Sequence, residues 1–159
     1  MSRDSGGSSG LRPETKIKRL LVIAGSDSGG GAGIQADIKT AQTFGVYAMT
    51  AITAVTVQDT MRVHAVHSVP PAIVAGQIKW CLADIGADAI KIGMLANGAI
   101  AAAVADVLEG MDIPIVIDPV LASGGGARLL DAEGVEILKT RLFPLAMLVT
   151  PNLPETEPL

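Results

Sequence analysis

A glycine-rich loop between an apolar run and a helical pattern constrains the fold of this chain most. Residues 24–37 have the sequence AGSDSGGGAGIQAD, and they follow the apolar run at 20–23. Strand, glycine loop and helix in this order build ligand sites at the strand ends of open α/β sheets. Glycines let a ligand approach the backbone, and free N–H groups at a helix start favour a polar or anionic partner. The segment therefore predicts an α/β fold with a ligand site after its first strand.

The spacing of these glycines excludes two common nucleotide-binding loops. The loop lacks the lysine of G-x-x-x-x-G-K-[ST], and its glycines do not fall on G-x-G-x-x-G. A flexible turn without a ligand remains the alternative. Asp27 is either a turn residue that bonds local N–H groups or a ligand contact. Asp37, one turn into the helix, either favours the helix dipole or meets the ligand.

Composition restricts the class of protein and its partners. The chain has 159 residues, 49% of them hydrophobic and 3% aromatic, which is typical of one domain with a buried parallel sheet. A net charge of -4 and few aromatics argue against a nucleic-acid partner. No apolar run reaches membrane-spanning length, so no membrane partner is predicted. The single cysteine, Cys81, excludes a disulfide framework, favours the cytoplasm and is predicted to be a small core residue.

The chain outside the glycine loop alternates strand and helix patterns. Predicted strands are 18–24, 47–57, 63–69, 89–92, 113–117 and 146–149, and predicted helices are 33–44, 71–85, Asn97–Glu109 and Asp131–Leu142. Ile34, Ile38 and Ala41 are predicted to share one apolar face of the first helix. The crossovers are long enough to predict a mostly parallel sheet with helices on both faces and right-handed connections. Residues 1–16 are predicted to be a disordered tail, 17–159 a single domain and 124–126 a mobile loop.

Five motifs in this chain resemble one enzyme family. They are AGSDSGGGAGIQADIKT (24–40), ITAVTVQDT (52–60), KIGML (91–95), VIDPV (116–120) and TPNLPE (150–155). Their order is similar to that in bacterial hydroxymethylpyrimidine (phosphate) kinases, thiamine-pathway members of the ribokinase-like superfamily. The resemblance implies a ribokinase-like three-layer αβα fold and ATP-dependent phosphorylation of 4-amino-5-hydroxymethyl-2-methylpyrimidine or its monophosphate, with ATP and Mg²⁺ as cofactors. A pyridoxal kinase of the same superfamily is the alternative.

The resemblance also implies roles for particular residues. The small-molecule pyrimidine substrate would be bound by Gly25, Ala32, Asp37, Thr56, Gln58, Met94 and Val120. The phosphates and Mg²⁺ would be served by Asp118, Asn152 and Glu155, with Asp118 in a supporting catalytic role. Without the resemblance, Met94 is predicted to be ordinary core, and Asn152 and Glu155 a helix cap and a first-turn acid. Asp118 directly follows the apolar run IPIVI, where a charge is costly unless it is paired or solvated in a site.

The remaining charged residues are predicted to be structural or solvated. Lys91 is expected to be structural, with its stem partly buried. His64 and His67 are predicted to point to opposite faces of an extended segment, which makes them a poor metal pair. The basic cluster Lys16, Lys18 and Arg19 is expected to be a solvated edge.

The end of the chain leads to a further expectation. The resembled kinases continue into a C-terminal half that carries the anion hole and the catalytic base, and no G-x-G-[CD] pattern follows residue 126. The chain is therefore expected to be the N-terminal substrate-side part of the kinase domain, truncated on the C-terminal side and inactive by itself, with binding as its remaining property. An uncovered sheet edge would favour aggregation or a homodimer. Since the loop after DPV lacks the family's lysine, any phosphate contact there would use Ser123 or backbone N–H groups.

Overall fold

The computed structural model describes residues 16–123, 126 and 128–159. The strands are β1 (Arg19–Ser26), β2 (Tyr47–Gln58), β3 (Val63–Ser68), β4 (Ala89–Ile92), β5 (Ile115–Ile117) and β6 (Leu148–Val149). The helices are α1 (Gly33–Thr43), α2 (Pro71–Asp84), α3 (Gly98–Leu108), α4 (Ala132–Ile137) and α5 (Leu153–Thr156). The predicted tail lies outside the described residues except for its last residue, and so does most of the loop predicted at 124–126.

The six strands form one mixed sheet in the order β3-β2-β1-β4-β5-β6. β3 is antiparallel to β2 at one edge, and every other pair is parallel. The chain passes from β1 outward to β2, and later enters β4 on the opposite side of β1. The strand order thus reverses between β1 and β4, and open α/β sheets bind ligands beyond the carboxyl ends of strands at such a reversal.

Both faces of β1 are buried. Leu21 and Ile23 point into the main core, which α2 and α3 cover, whereas Val22 and Ala24 point to the other face and pack with Ile34 of α1. Helices on both faces of a mostly parallel sheet confirm the predicted architecture. The handedness of the crossovers stays a prediction.

The predicted elements are present, with shifted ends. β1 continues two residues further than predicted, through a register irregularity between Ala24 and Ser26. The last long helix is α-helical only to Ile137, and the backbone continues as a π turn and a 3₁₀ turn to residue 145. Asn97 and Asp131 cap their helices as predicted, since their side chains accept the N–H groups of the third helical residues at 2.9 and 2.7 Å.

The structure refines the prediction for the apolar face of α1 and overturns the one for Arg19. Ile38 is 37% exposed, while Ile34 and Ala41 are buried. Ile38 lies about 60° round the helix from Ala41, which carries it past the contact of α1 with β1 and β2. Arg19 is not a solvated edge residue: its backbone N and its Nε donate to Asp88 Oδ2 at 2.8 and 3.1 Å. This pair ties the start of β1 to the turn before β4.

One side chain provides hydrogen bonds at an edge of β2 that has no neighbouring strand. β3 pairs with β2 only from Ala54 onward, so the earlier part of β2 has an open edge. There the side chain of Gln77 in α2 takes the place of a neighbouring strand, because its Oε1 accepts the N–H of Ile52 at 3.0 Å and its Nε2 donates to the Ile52 carbonyl at 3.2 Å.

Cys81 is partly buried against the main core, as predicted. Within the described part of the chain, no helix is long and apolar enough to cross a membrane.

Candidate functional site

A cavity of about 330 Å³ opens at the carboxyl ends of β1 and β4, where the strand order reverses. The residues predicted to bind substrate all line it: Gly25, Ala32, Asp37, Thr56, Gln58, Met94 and Val120. Asp118 and Ser123 line it as well. The structure thus brings together residues from four segments of the sequence, although their contact with a ligand stays a prediction.

Asp27 organises the glycine loop from inside. Its carboxylate is 5% exposed and accepts three backbone N–H groups, from Gly29 at 2.8 Å, Gly31 at 3.0 Å and Ala32 at 2.8 Å. The structure therefore confirms the turn role that was one of the two alternatives for Asp27. The three occupied donors precede α1, which begins at Gly33 and has no side-chain cap, so the predicted role of the N–H groups at the helix start stays a prediction.

Gln35 connects this loop to α1, and the sequence reasoning did not single it out. Its Oε1 accepts the N–H of Asp27 at 2.8 Å, and its Nε2 donates to Ser26 Oγ at 2.7 Å. Gly33 lies against the loop on the same side: it has φ +55°, and a Cβ there would overlap the carbonyl oxygen of Gly25. These contacts seat the start of α1 directly on the end of β1. The available signal was a polar residue in the first turn of a helix that has no capping side chain.

Thr56 and Gln58 form the β2 wall of the cavity. Thr56 Oγ1 lies 3.0 Å from the Ser26 carbonyl oxygen and 3.3 Å from Gln58 Oε1. The Ser28 hydroxyl lies 2.9 Å from both the backbone N and the backbone O of Gln58, which joins the loop to the end of β2. The two side chains face the same side, as predicted. Among the described residues, Gln58 Nε2 has no hydrogen-bond acceptor, so both of its N–H groups are available to a ligand.

Lys91 places a cation between two carboxylates of the site. Its Nζ lies 2.8 and 3.0 Å from the two carboxylate oxygens of Asp37 and 3.7 Å from Asp118 Oδ2. The prediction gave Lys91 a structural role only, but Lys91 lines the cavity and its Nζ contacts the carboxylates of two other lining residues. A lysine between the fully buried Ile90 and Ile92 in a central strand was the signal.

Burial raises the pKa of the half-buried Asp118 carboxyl. The positive charge of Lys91 opposes that shift, while the negative charges of Glu155 and Asp37 add to it. The ionised form is therefore costly in the absence of a ligand. A cation placed beside Asp118 would relieve that cost, which is the chemistry expected of a residue that serves a metal and phosphates.

The apolar wall of the cavity is also part of a small core. Met94 is 8% exposed and packs with Ala54 and Leu129, with Val120 against the same cluster. Met94 is therefore both core and cavity wall, so the two alternatives for it do not exclude each other. An apolar wall beside a few polar groups is typical of sites for small ring-shaped ligands.

Asn152 and Glu155 do not line the cavity. They form a capping box at the start of α5, in which Asn152 Oδ1 accepts the Glu155 N–H at 3.0 Å and Glu155 Oε2 accepts the Asn152 N–H at 2.9 Å. The structure thus bears out the helix-cap role, and their metal role stays a prediction. Glu155 is nevertheless near enough to raise the pKa of Asp118.

The described residues contain no group of three or more His, Cys, Asp or Glu side chains placed to hold a metal ion. His64 instead contacts Asp59 at 2.7 Å, which with two backbone N–H bonds lowers the pKa of Asp59 to about 2. Mg²⁺ takes only one or two carboxylates when substrate phosphates and waters complete its shell. Asp118, with Glu155 nearby, offers the few carboxylate oxygens that suit a Mg²⁺ ion bound mainly by phosphates and water. These two residues do not suit a metal ion that is held by protein ligands alone.

Known proteins share the sequence and the fold of this chain. A family model described as phosphomethylpyrimidine kinase matches residues 27–159. A hydroxymethylpyrimidine/phosphomethylpyrimidine kinase of Mycobacterium leprae is 52% identical over 147 residues, which are 91% of this chain and 53% of that protein. The crystal structure of phosphomethylpyrimidine kinase from Clostridium difficile has 43% identity and a TM-score of 0.80 over 89% of this chain and 62% of that chain.

The fold is shared with a second kind of kinase. An ADP complex of Bacillus subtilis pyridoxal kinase has 37% identity and a TM-score of 0.80, over 91% of this chain and 54% of that chain. The chain spans about half the length of the curated relatives it matches. The family model covers most of the chain, and the αβα architecture matches that of ribokinase-like kinases. The chain therefore belongs to the phosphomethylpyrimidine kinase family.

Proposed function

We propose that the whole protein is an ATP-dependent kinase for 4-amino-5-hydroxymethyl-2-methylpyrimidine, its monophosphate or both, in thiamine diphosphate biosynthesis. For the chain described here we propose the substrate-binding part of that activity, without turnover. The observation that carries the proposal is the cavity at the strand-order reversal. Its volume of about 330 Å³ suits a single small ring, and small-molecule sites are apolar with a few placed polar groups.

In this proposal the ring lies on Met94 and Val120, with its polar edge toward the other walls. Gln58 offers two N–H donors, and Asp37 offers carboxylate acceptors. The polar contacts fix the orientation of the ring, and therefore the direction in which its hydroxymethyl group points. Phosphoryl transfer depends mainly on such positioning and on charge stabilisation, so a site of this kind contributes to the rate without covalent chemistry.

Asp118, with Asn152 and Glu155, would hold Mg²⁺ and phosphate groups through water. The ion would neutralise negative charge on the phosphates. The raised pKa of Asp118 supports this assignment, because a cation stabilises the ionised carboxylate. ATP is the phosphate donor in the proposal, and the ADP complex of the related pyridoxal kinase supports nucleotide use in this fold.

Calorimetric titration of the chain with the hydroxymethylpyrimidine, and separately with pyridoxal, tests the proposal. We expect the pyrimidine to bind more tightly, and Gln58→Leu to weaken it by about tenfold or more because two donors to the ring are lost. Gln42→Leu, at an exposed position of α1, is the matched control and should change nothing. A preference for pyridoxal would favour a pyridoxal kinase instead.

A second measurement separates binding from turnover. The chain is incubated with ATP, Mg²⁺ and the pyrimidine, and the phosphorylated product is followed by mass spectrometry. We expect no product above the level obtained without protein. Product formation that requires this chain would contradict the assignment of binding without turnover, and would leave the substrate assignment in place.

A further inference from the structure

Lys91 has one more hydrogen-bond donor than the protein uses. An ammonium group carries three N–H donors, and two of them are directed to the carboxylate oxygens of Asp37. The remaining neighbour, Asp118 Oδ2, is 3.7 Å away, which is an ion-pair distance and too long for a hydrogen bond. Within residues 16–123, 126 and 128–159, the third N–H thus has no acceptor, and Lys91 is one of the residues that line the cavity.

Among the charged side chains that line the cavity in the described part of the chain, Lys91 is the only cation. The charged side chains that line it, in the described part of the chain, are Asp27, Asp37, Asp118 and Lys91. Asp27 is occupied by three backbone N–H groups. Asp37 retains lone pairs, since each oxygen accepts one bond from Lys91 and a carboxylate has about four acceptor positions. A carboxylate acceptor and an ammonium donor therefore lie side by side at the cavity wall.

The backbone holds this pair in place. Lys91 lies in β4 between Val22 of β1 and Val116 of β5 in the sheet register, so its stem leaves from the centre of the sheet. Asp37 is in the second turn of α1, which Gln35 and Gly33 seat against the end of β1. The side chains of Asp37 and Lys91 are 15% and 28% exposed, so they are accessible from the cavity while their stems are restrained.

We infer that Lys91 is a substrate-recognition residue that acts together with Asp37. The pair recognises the edge of a 4-aminopyrimidine, in which the amino group donates to Asp37 and the adjacent ring nitrogen accepts from Lys91. This inference rests on the proposed function and specifies how the ring is distinguished from other hydroxymethylated rings. A ring without that nitrogen leaves the Lys91 donor without a partner in a partly buried site, which costs affinity.

The test crosses two ligands with two forms of the protein. The ligands are the hydroxymethylpyrimidine and (2-amino-4-methylphenyl)methanol, which keeps all substituents and replaces both ring nitrogens by CH. The variant Lys91→Met keeps the apolar stem and removes the donors. We expect Lys91→Met to weaken binding of the pyrimidine by about tenfold or more, and binding of the carbocycle by no more than about twofold, as measured by calorimetry with competition for the weaker ligand.

Two further variants control for folding and for charge. Lys91→Met combined with Asp37→Asn leaves neither member of the pair charged and should likewise reduce the preference for the pyrimidine over the carbocycle. Lys79→Met removes an exposed lysine from α2 and should leave both affinities unchanged. An equal loss for both ligands in Lys91→Met and in the double variant would indicate a structural role for Lys91 and overturn the inference.

The outcomes also separate this inference from the proposed function. If the wild-type chain prefers the pyrimidine and Lys91→Met retains that preference, the inference is wrong while the proposed function stands. If a folded wild-type chain, checked by circular dichroism, binds neither ring, both are contradicted.

Discussion

Replacement of Gly33 by alanine tests how α1 is seated on the sheet. Gly33 has φ +55°, a left-handed conformation that costs an L-residue with a Cβ about 1–2 kcal/mol. A Cβ at this position would also overlap the carbonyl oxygen of Gly25, with Gly25 C at 3.2 Å and Asp27 N at 3.4 Å. These are backbone atoms, which cannot rotate away as a side chain does. Such overpacking costs about 1–3 kcal/mol.

The expected total for Gly33→Ala is a loss of about 2–5 kcal/mol in the free energy of unfolding. Gly45→Ala is the matched control. Gly45 also has positive φ, +67°, but a Cβ there would meet no atom within 4 Å. It should therefore show only the conformational part of the cost, about 1–2 kcal/mol.

Urea unfolding followed by circular dichroism gives both values, provided that the slope of free energy against urea is the same in the two variants. The difference between the variants isolates the overlap with the Gly25 carbonyl. Equal destabilisation of the two variants would refute the reasoning, because it would show that α1 moves away from β1 without cost. In that case the cavity wall formed by the loop would not be held rigidly either.

Three other changes give distinct expected outcomes. Asp27→Ala removes the acceptor of three loop N–H groups and should cost about 3 kcal/mol in urea unfolding, whereas Asp112→Ala at an exposed position should cost almost nothing. Gln77→Ala leaves both backbone groups at the open β2 edge without their partner, so it should cost about 1–2 kcal/mol and promote association in light scattering. Hydrogen bonding to Arg19 lowers the pKa of Asp88 to about 2, so the ionised carboxylate stabilises the fold above about pH 4 and this contribution disappears as the pH falls toward 2. Asp88→Asn should flatten that part of the pH profile of the urea midpoint, and an unchanged profile would show that the pair contributes nothing.

Local patterns predicted the elements of this fold well. Apolar periodicity placed all six strands and the four longer helices, and the side chains of Asn97 and Asp131 marked two helix starts. Such signals depend on residues within a turn or two of one another, so they can be evaluated in the sequence. They did not indicate how deeply packing buries each residue, as at Ile38, which shares the apolar face of α1 but lies beside the contact with the sheet.

The candidate site was predicted unevenly for the same reason. Residues in the family motifs converge on one cavity, because the carboxyl ends of neighbouring parallel strands meet at one edge of the sheet. The motifs did not indicate that Asp27 would occupy the loop N–H groups, or that Asn152 and Glu155 would cap α5 outside the cavity wall. Those outcomes depend on which hydrogen-bond partners the fold brings within reach of each side chain.

The sequence by itself determined the α/β class, the strand–glycine loop–helix unit and the family, since each is carried by short motifs or local patterns that can be evaluated without knowing the fold. Only the tertiary structure decided that Lys91 meets Asp37, 54 residues away, and that Arg19 pairs with Asp88, 69 residues away. These contacts follow from the strand order, in which β1 lies between β2 and β4. Strand order is set by how the helices and strands together bury their apolar faces, and no local pattern in the sequence contains that information.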